Sequence, residues 1–315
     1  MITRSPSLWR KIQRENITCW KTLADFLQLT EQQRDTILPT SHFPLNLPRR
    51  LADKIKKGSL NDPILLQFLP SQKETASAVG YTKDPVGDRL AQKTPRLIHK
   101  YQGRALLYTT SACAMHCRYC FRQHYSTENK TTTPYDFAEE LQLIAQDPSL
   151  SEIILSGGDP LSLSDQRLAQ LIAQLNHIPH IKRLRFHTRF PIGIPERIDE
   201  DFCNMLKTSR MQIWFLLHAN HASELDDEVM HAMRKIQALT IPTLSQTVLL
   251  KGVNDDLTTL KTLCERLVNN AITPYYLHQL DRVQGAEHFE VADSQAVILI
   301  EQLRNTLSGY AIPTL

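Results

Sequence analysis

The sequence predicts an α/β fold, a partial (β/α)6 barrel of the TIM type with an N-terminal helical region. From residue 104 onward, short β-rich runs alternate with amphipathic helical stretches in six successive units. Such alternation is typical of parallel strands joined by right-handed helical crossovers, and six units fall short of the eight in a closed barrel. The predicted strands are RALLYTT (104–110), EIILS (152–156), RLRFHT (183–188), QIWFLLH (212–218), PTLSQTVLL (242–250) and TPYYLHQL (273–280).

The N-terminal part of the chain carries no strand pattern. Residues 1 to about 70 look like short helical pieces, and Leu47, Leu51 and Ile55 recur at helical spacing beside several Lys and Arg. That pattern predicts an amphipathic helix whose basic face is either solvated or in contact with an acidic partner. The segment 71–100, which contains several Gly and Pro, is predicted to be an irregular connection.

The chain divides into three regions. We expect residues 1–95 to form the helical region and connection, residues 96–293 the barrel, and residues 294–315 a C-terminal helix and the start of a truncated tail. Each predicted helix follows a strand and is amphipathic. These helices are DFAEELQLIAQ (136–146), LSDQRLAQLIAQLN (163–176), DFCNMLKT (201–208), ELDDEVMHAMRKIQAL (224–239), DLTTLKTLCERLV (256–268) and SQAVILIEQLRNTL (294–307).

Composition and charge exclude several classes of protein. Lys and Arg number 36 against 33 Asp and Glu, a net charge of +3, so no large basic field favours nucleic acid as the main partner. A hydrophobic fraction of 42% excludes wholesale disorder. No stretch approaches the ~18 apolar residues of a membrane span, and the first residues lack the apolar run of a secretory signal. We therefore expect a cytoplasmic protein with reduced thiols and no membrane attachment.

Three of the six cysteines form a compact motif directly after the first predicted strand. Cys113, Cys117 and Cys120 are spaced C-x3-C-x2-C. Structural zinc sites usually take four ligands in two pairs, whereas three thiolates without a second pair suit an iron–sulfur cluster that keeps one iron open. A zinc site completed by His116 or His124 is the alternative. The remaining thiols, interpreted as packed or incidental, are Cys19, Cys203 and Cys264.

The cysteine motif and a glycine motif one unit later resemble the radical S-adenosylmethionine (SAM) enzymes. The second predicted strand runs into SGGDP (156–160), which is similar to the Gly-Gly-Asp/Glu-Pro motif of that family. The resemblance implies that the three cysteines bind a 4Fe–4S cluster and that SAM binds its open iron. It also implies that the methionine amino group is received by Gly157, Gly158, Asp159 and Pro160.

Six further segments narrow the resemblance to the lysine 2,3-aminomutases, which use pyridoxal phosphate as well as the cluster and SAM. They occur in the same order as in that family, from about residue 96 to the last residue. The segments are HKYQGR (99–104), CRYCFRQH (117–124), HTRFPIGIPERI (187–198), SQTVLLKGVND (245–255), PYYLHQLDRVQGAEHF (274–289) and SGYAIPTL (308–315).

Within that family, two more segments are similar to a short bacterial branch, the EpmB-like enzymes. They are FPLNLPRRLADKIKKGSLNDPILLQFLP (43–70) and GYTKDPVGD (80–88). The branch makes (R)-β-lysine from L-lysine for attachment to elongation factor P. The resemblance thus implies a downstream ligase and elongation factor P as partners, with an electron donor of the flavodoxin or ferredoxin type. Whether the chain forms a homo-oligomer stays open.

The resemblance assigns roles to single residues. Arg122 matches the arginine that pairs with the substrate carboxylate, and its planar fork suits bidentate binding. Asp281 matches an aspartate that holds the far ammonium group of lysine, and Gln246 a glutamine beside SAM and pyridoxal phosphate. The residues matching the phosphate-binding group, in which the family has an arginine at the first position, are Lys100, Tyr101 and Arg104.

One residue of the family pattern is missing from this sequence. In the family, the lysine that forms a Schiff base with pyridoxal phosphate follows the SGY-x-x-P motif, and here no lysine follows Tyr310. We expect it to lie beyond Leu315 in a longer form of the chain. Two alternatives stay open: a radical SAM enzyme that does not use pyridoxal phosphate, and a zinc- or cluster-stabilised binding module without enzymatic activity.

Overall fold

The computed structural model describes residues 7–76, 78–125 and 136–315, and its centre is one eight-stranded sheet with the strands in chain order. The last six strands are parallel, and each lies within two residues of its predicted bounds. Within the described residues no pairing joins the first parallel strand to the last, so the predicted partial barrel is confirmed. The strands are β1 (Gln92–Thr94), β2 (Leu97–Tyr101), β3 (Arg104–Thr110), β4 (Glu152–Gly157), β5 (Arg183–Thr188), β6 (Gln212–His218), β7 (Thr243–Val248) and β8 (Thr273–His278).

The segment 71–100 is not the irregular connection that its Gly and Pro residues predict, because it contains β1 and β2. Strand β2 pairs antiparallel with β3, so that Leu97 lies opposite Leu107 and Ile98 opposite Leu106. Leu97 and Ile98 are both buried. Strand β2 is therefore stabilised by pairing with β3 rather than by an alternating pattern of its own.

Four of the helices that join the parallel strands begin at a residue whose side chain caps them. Ser164, Asp199, Asp226 and Asp256 each accept a hydrogen bond from a backbone N–H in the first turn of the helix that follows. Among the helices that the structure describes, none has both the length and the apolar character needed to cross a membrane. The α-helices are α1 (Leu8–Arg14), α2 (Trp20–Phe26), α3 (Glu31–Arg34), α4 (Arg49–Lys54), α5 (Pro63–Leu66), α6 (Ala138–Gln146), α7 (Asp165–Asn176), α8 (Phe190–Gly193), α9 (Glu200–Leu206), α10 (Asp227–Gln237), α11 (Leu257–Val268) and α12 (Asp293–Arg304), and short 3-10 helices occupy Gln72–Thr75, Arg89–Ala91, Pro160–Ser162, Pro195–Arg197, Ala222–Glu224, Glu287–Phe289 and Gly309–Ala311.

The N-terminal helices share one hydrophobic core with the barrel. Helix α4 is shorter than predicted because Ile55 already has an extended backbone. Its basic face has acidic partners within the same chain: Arg50 Nη2 lies 2.5 Å and Lys54 Nζ 2.6 Å from Asp226 Oδ2. Asp226 is the N-cap of α10, where the helix dipole favours a negative charge. These ion pairs fasten the N-terminal region to the outer side of the barrel.

Candidate active site

A cavity of about 450 Å³ runs through the inside of the partial barrel, from the loop after β3 to the β2–β3 hairpin at the other end of β3. A volume of this size is typical of a small-molecule site. Among the site residues predicted from the sequence, only Pro160 is absent from the lining, and it is buried at the start of a 3-10 helix. The predicted residues that line the cavity are Lys100, Tyr101, Arg104, Cys113, Cys117, Cys120, Arg122, Gly157, Gly158, Asp159, Gln246 and Asp281.

The three cysteines face the cavity just beyond the C-terminal end of β3. Burial, followed by the neighbouring Cys120, raises the pKa of Cys113 well above its usual value. Burial and Cys117 likewise raise the pKa of Cys120 to about 11. The described residues bring no three His, Cys, Asp or Glu side chains together as ligands of a single metal ion. A 4Fe–4S cluster does not require that convergence, because each thiolate binds its own iron, and three soft sulfur donors fit such a cluster.

The two histidines of the zinc alternative bind backbone carbonyl groups. His116 Nδ1 lies 2.8 Å from the carbonyl oxygen of Pro44. His124 Nε2 lies 3.1 Å from the carbonyl oxygen of Gln284. Each ring thus has one nitrogen engaged outside the cysteine motif, and the geometry gives no support to a zinc site completed by either of them.

The loop that carries the cysteines is held from outside by the N-terminal region. Asn16 Nδ2 donates a hydrogen bond to the carbonyl oxygen of Ala114 at 2.7 Å. The backbone N–H of Arg118 donates to the carbonyl oxygen of Gln67 at 2.8 Å. The buried guanidinium of Arg118 also binds Glu74, with Nε 2.8 Å from Oε1. The helical region therefore fixes the backbone from which the cysteines project, a role that the sequence does not reveal.

The two glycines of the SGGDP motif let the end of β4 pack directly against the cysteine loop. Gly157 has a φ of +121°, which favours glycine, and a Cβ there would lie 2.7 Å from the carbonyl oxygen of Thr110. A Cβ at Gly158 would lie 2.4 Å from the carbonyl oxygen of Ala112 and 2.8 Å from the carbonyl carbon of Ser111. The close backbone approach that glycine permits here is therefore made to the segment just before the first cysteine.

Asp159 joins the end of β4 to the end of β5. Its carboxylate accepts hydrogen bonds from the backbone N–H groups of Leu161, Arg189 and Phe190 at 3.0, 2.8 and 3.0 Å. The hydroxyl of Thr188 also donates to it, at 2.8 Å. Burial raises the pKa of Asp159 to about 6, although these hydrogen bonds oppose that shift. Because both of its oxygens accept hydrogen bonds within the protein, the carboxylate links the ends of β4 and β5.

Sequence reasoning missed the central charged residue of the cavity, Asp88. Its Oδ1 lies 2.5 Å from Lys100 Nζ and its Oδ2 3.0 Å from Arg122 Nη2. Burial alone raises the pKa of Asp88, but Arg122 and Lys100 outweigh it and hold the pKa below its usual value. Arg122 Nη1 also donates to Ser156 Oγ at 3.2 Å. Asp88 closes the GYTKDPVGD segment quoted above, yet nothing in that segment indicates that its last residue faces a cavity.

Asp281 is a carboxylate of the cavity that has no partner among the described residues. Within the described part of the chain its side chain makes no hydrogen bond and no ion pair. Burial raises the pKa of Asp281, while the nearby Arg122 lowers it and Asp88 raises it further. An ammonium group bound beside this side chain would favour its charged form.

The three residues predicted to bind one phosphate form two groups. Arg104 stacks on Tyr101, with its guanidinium carbon 4.4 Å from the ring centroid, and both residues are exposed. They lie at the N-terminal end of β3, about 20 Å from Thr110 at ~3.3 Å per residue. Lys100 instead points to Asp88.

Three histidines that sequence reasoning missed also line the cavity, at the C-terminal ends of β5, β6 and β8. They are His187, His218 and His278. The predicted residue Gln246 contacts the last of them, with its Nε2 2.9 Å from His278 Nε2. Burial lowers the pKa of all three, to about 4 for His218, so these rings are neutral at neutral pH. Their signal in the sequence is their place at or next to the last residue of a strand, where parallel sheets bind ligands.

The chain is similar to known proteins along its whole length. The family described as the radical SAM superfamily matches residues 107–263. The L-lysine 2,3-aminomutase of Haemophilus influenzae is 40% identical over 315 residues, which are 100% of this chain and 93% of that protein. The L-lysine 2,3-aminomutase of Escherichia coli is 43% identical over 273 residues, 87% of this chain and 80% of that protein. That of Clostridium subterminale is 32% identical over 308 residues, with coverages of 97% and 74%.

Proposed function

We propose, from the premise that this chain belongs to the lysine 2,3-aminomutase family of radical SAM enzymes, that it converts L-lysine into β-lysine. Membership makes the chain an isomerase that works with a 4Fe–4S cluster and SAM. It also removes the alternative of a binding module without enzymatic activity. The observation that carries the choice of substrate is that the cavity holds both a cation and a carboxylate without a partner of their own among the described residues.

Besides Arg104, the cavity offers one positive and one negative charge that have no partner of their own among the described residues. Lys100 and Arg122 share the single carboxylate of Asp88, so one cation remains for an anionic group of the substrate. Arg122 suits that role because its planar donors match a carboxylate. The free carboxylate of Asp281 remains for an ammonium group. An amino acid with a carboxylate at one end and a second amino group at the other satisfies both sites, and one without the distal amino group leaves Asp281 unpaired.

We assign the cluster to Cys113, Cys117 and Cys120, and SAM to the adjacent backbone of Gly157 and Gly158. The chemistry supplied there, when both are bound, is one-electron abstraction of a hydrogen atom from the substrate. The protein contributes the cysteine loop, which faces the cavity beside the end of β4. The N-terminal region is part of this machinery, since its hydrogen bonds fix the loop.

We propose that pyridoxal phosphate binds with its phosphate on Arg104 rather than on Lys100. The guanidinium of Arg104 has no ion pair within the described residues and is oriented by its stacking on Tyr101. Lys100 is already paired with Asp88. When bound, pyridoxal phosphate supplies the carbonyl chemistry by which an amino group moves between adjacent carbons. A titration followed by the cofactor's absorbance should show weaker binding to an Arg104→Ala variant.

We also propose that the product is passed to a ligase that attaches it to elongation factor P, and that a flavodoxin- or ferredoxin-type protein reduces the cluster. The similarity of segments 43–70 and 80–88 to the EpmB-like branch supports this assignment. Purified ligase and elongation factor P, supplied with product made from isotopically labelled lysine, should yield labelled elongation factor P. Unlabelled factor in the presence of an active aminomutase would contradict it.

The main proposal is tested with the full chain reconstituted anaerobically with iron and sulfide. Labelled L-lysine, SAM, pyridoxal phosphate and a reductant are added. The β-lysine formed is separated from its isomer lysine by chromatography and quantified by mass spectrometry. Arg122→Lys keeps the charge but loses the fork, so we expect at least a tenfold rise in KM for lysine. Asp281→Asn should lose the preference for lysine over amino acids without a distal amino group.

The matched control is Asp293→Asn, which removes an exposed carboxylate that binds Gln279 outside the cavity, and it should keep the wild-type KM. A reconstituted wild type that binds pyridoxal phosphate covalently and cleaves SAM, yet forms no β-lysine, would refute the proposed substrate. An unchanged KM in Arg122→Lys would refute the proposed role of that arginine.

A further inference from the structure

A buried arginine reaches the cysteine motif from the end of β5. Arg189 follows directly after that strand, and its Nη1 lies 2.9 Å from Cys117 Sγ. The same Nη1 also contacts the hydroxyl of Tyr119. On its other side, Nη2 donates to Gln67 Oε1 at 2.7 Å and to Glu224 Oε2 at 2.9 Å. The guanidinium thus stands between a sulfur atom and a carboxylate.

Glu224, the carboxylate that pairs with Arg189, is also held by several hydrogen bonds. Glu224 is fully buried and accepts hydrogen bonds from Gln67 Nε2 at 3.0 Å and from the backbone N–H of Asn220 at 3.3 Å. Asn220 Nδ2 donates in turn to Gln67 Oε1 at 2.9 Å and to the hydroxyl of Tyr119 at 2.7 Å. The N-terminal region and the ends of β5 and β6 therefore meet in one closed network.

Stability alone does not account for this arrangement. A buried ion pair gains little over well-packed apolar side chains, because the desolvation of both charges offsets their attraction. An arginine cannot release its proton to escape that cost. The position of the pair points to a function, because Arg189 contacts the sulfur of Cys117 and Glu224 lies on the other side of the guanidinium.

We propose that Arg189 and Glu224 together set the reduction potential of the 4Fe–4S cluster held by Cys117. The inference depends on the proposed assignment of Cys117 as a cluster ligand. Reduction adds negative charge to the cluster, and hydrogen bonds to its sulfur atoms are among the factors that set its potential. The guanidinium stabilises the reduced form and raises the potential, while the carboxylate opposes it. Both act strongly because the surroundings are buried and of low dielectric constant.

Two substitutions should therefore move the potential in opposite directions. Arg189→Gln removes the positive charge and the donor to Cys117, so the potential should fall. Glu224→Gln keeps the shape and the contact with Gln67 but removes the opposing charge, so the potential should rise. We expect each to change the ratio of reduced to oxidised cluster at fixed potential at least tenfold, which is about 59 mV for a one-electron couple.

The measurement is a redox titration of the anaerobically reconstituted full chain, followed by the electron paramagnetic resonance signal of the reduced cluster. Iron and sulfide contents are determined first for every variant. The control is Asp165→Asn, because Asp165 also pairs with a buried arginine, Arg197, at 2.7 Å, but that pair contacts no cysteine. Its potential should equal that of the wild type.

The outcomes separate the inference from the assignment on which it depends. A full cluster in a Cys117→Ala variant would remove Cys117 from the ligands, whatever the potentials show. Glu224→Gln decides the inference itself, since it perturbs the shape least. An unchanged or lowered potential in that variant overturns the inference. Loss of its cluster overturns it as well, because the pair would then hold the loop rather than tune the potential.

Discussion

Replacing Gly158 by alanine tests whether the SGGDP motif shapes the cysteine loop. A Cβ at this position would lie 2.4 Å from the carbonyl oxygen of Ala112 and 2.8 Å from the carbonyl carbon of Ser111. Both are backbone atoms, so no side-chain rotation relieves the contact, and the segment before Cys113 must shift. Overpacking of this kind costs about 1–3 kcal/mol. At roughly 2 °C per kcal/mol, the melting temperature should fall by about 2–6 °C.

The same shift displaces the first cysteine, so Gly158→Ala should also bind less iron after anaerobic reconstitution than the wild type. Gly309→Ala is the matched control, because a Cβ there meets no atom within 4 Å and no positive φ is involved. Melting temperature and iron content are measured for both variants. A Gly158→Ala protein with the melting temperature and iron content of the control would show that close packing at this point does not position the loop.

Three further substitutions should have measurable effects. Asp159→Asn should lower the free energy of unfolding by about 1–3 kcal/mol, measured by denaturant titration, because an amide NH2 would face backbone N–H donors; wild-type stability would contradict this. Asp88→Asn leaves the half-buried Arg122 and the more exposed Lys100 without their carboxylate and should cost about 1–3 kcal/mol. Added sulfate should raise its melting temperature more than that of the wild type. The depressed pKa of His218, about 4, contributes stability that is present above pH 6.5 and lost as the pH falls towards 4. Between pH 7 and 4 the wild type should therefore lose up to about 3 kcal/mol more than His218→Gln, and equal losses in an acid titration would refute the shift.

The barrel could be predicted because its signals are local. An amphipathic helix and a strand rich in β-branched or aromatic residues can each be recognised within about a dozen residues. Strands β5 and β6 have the bounds that the sequence predicts. Strand β2 could not be predicted in this way. It has no alternating pattern of its own, and it forms by pairing with β3, with Leu97 opposite Leu107, across a turn that the local pattern does not specify.

The residues of the site likewise divide into those that a local motif reveals and those that only the fold brings together. The cysteine and glycine motifs are short linear patterns, so sequence reasoning found them. Asp88 has no motif of its own, and it matters because the fold sets it against Lys100 and Arg122. The chemistry of the cavity then depends on which charged side chains have no partner once Asp88 has bound Lys100 and Arg122. With Lys100 paired, Arg104 is the cation that we propose for a phosphate, and Asp281 is the carboxylate that we propose for an ammonium group. The sequence supplies the charges, but the fold decides which of them lack a partner among the described residues, and we propose that those charges select the substrate.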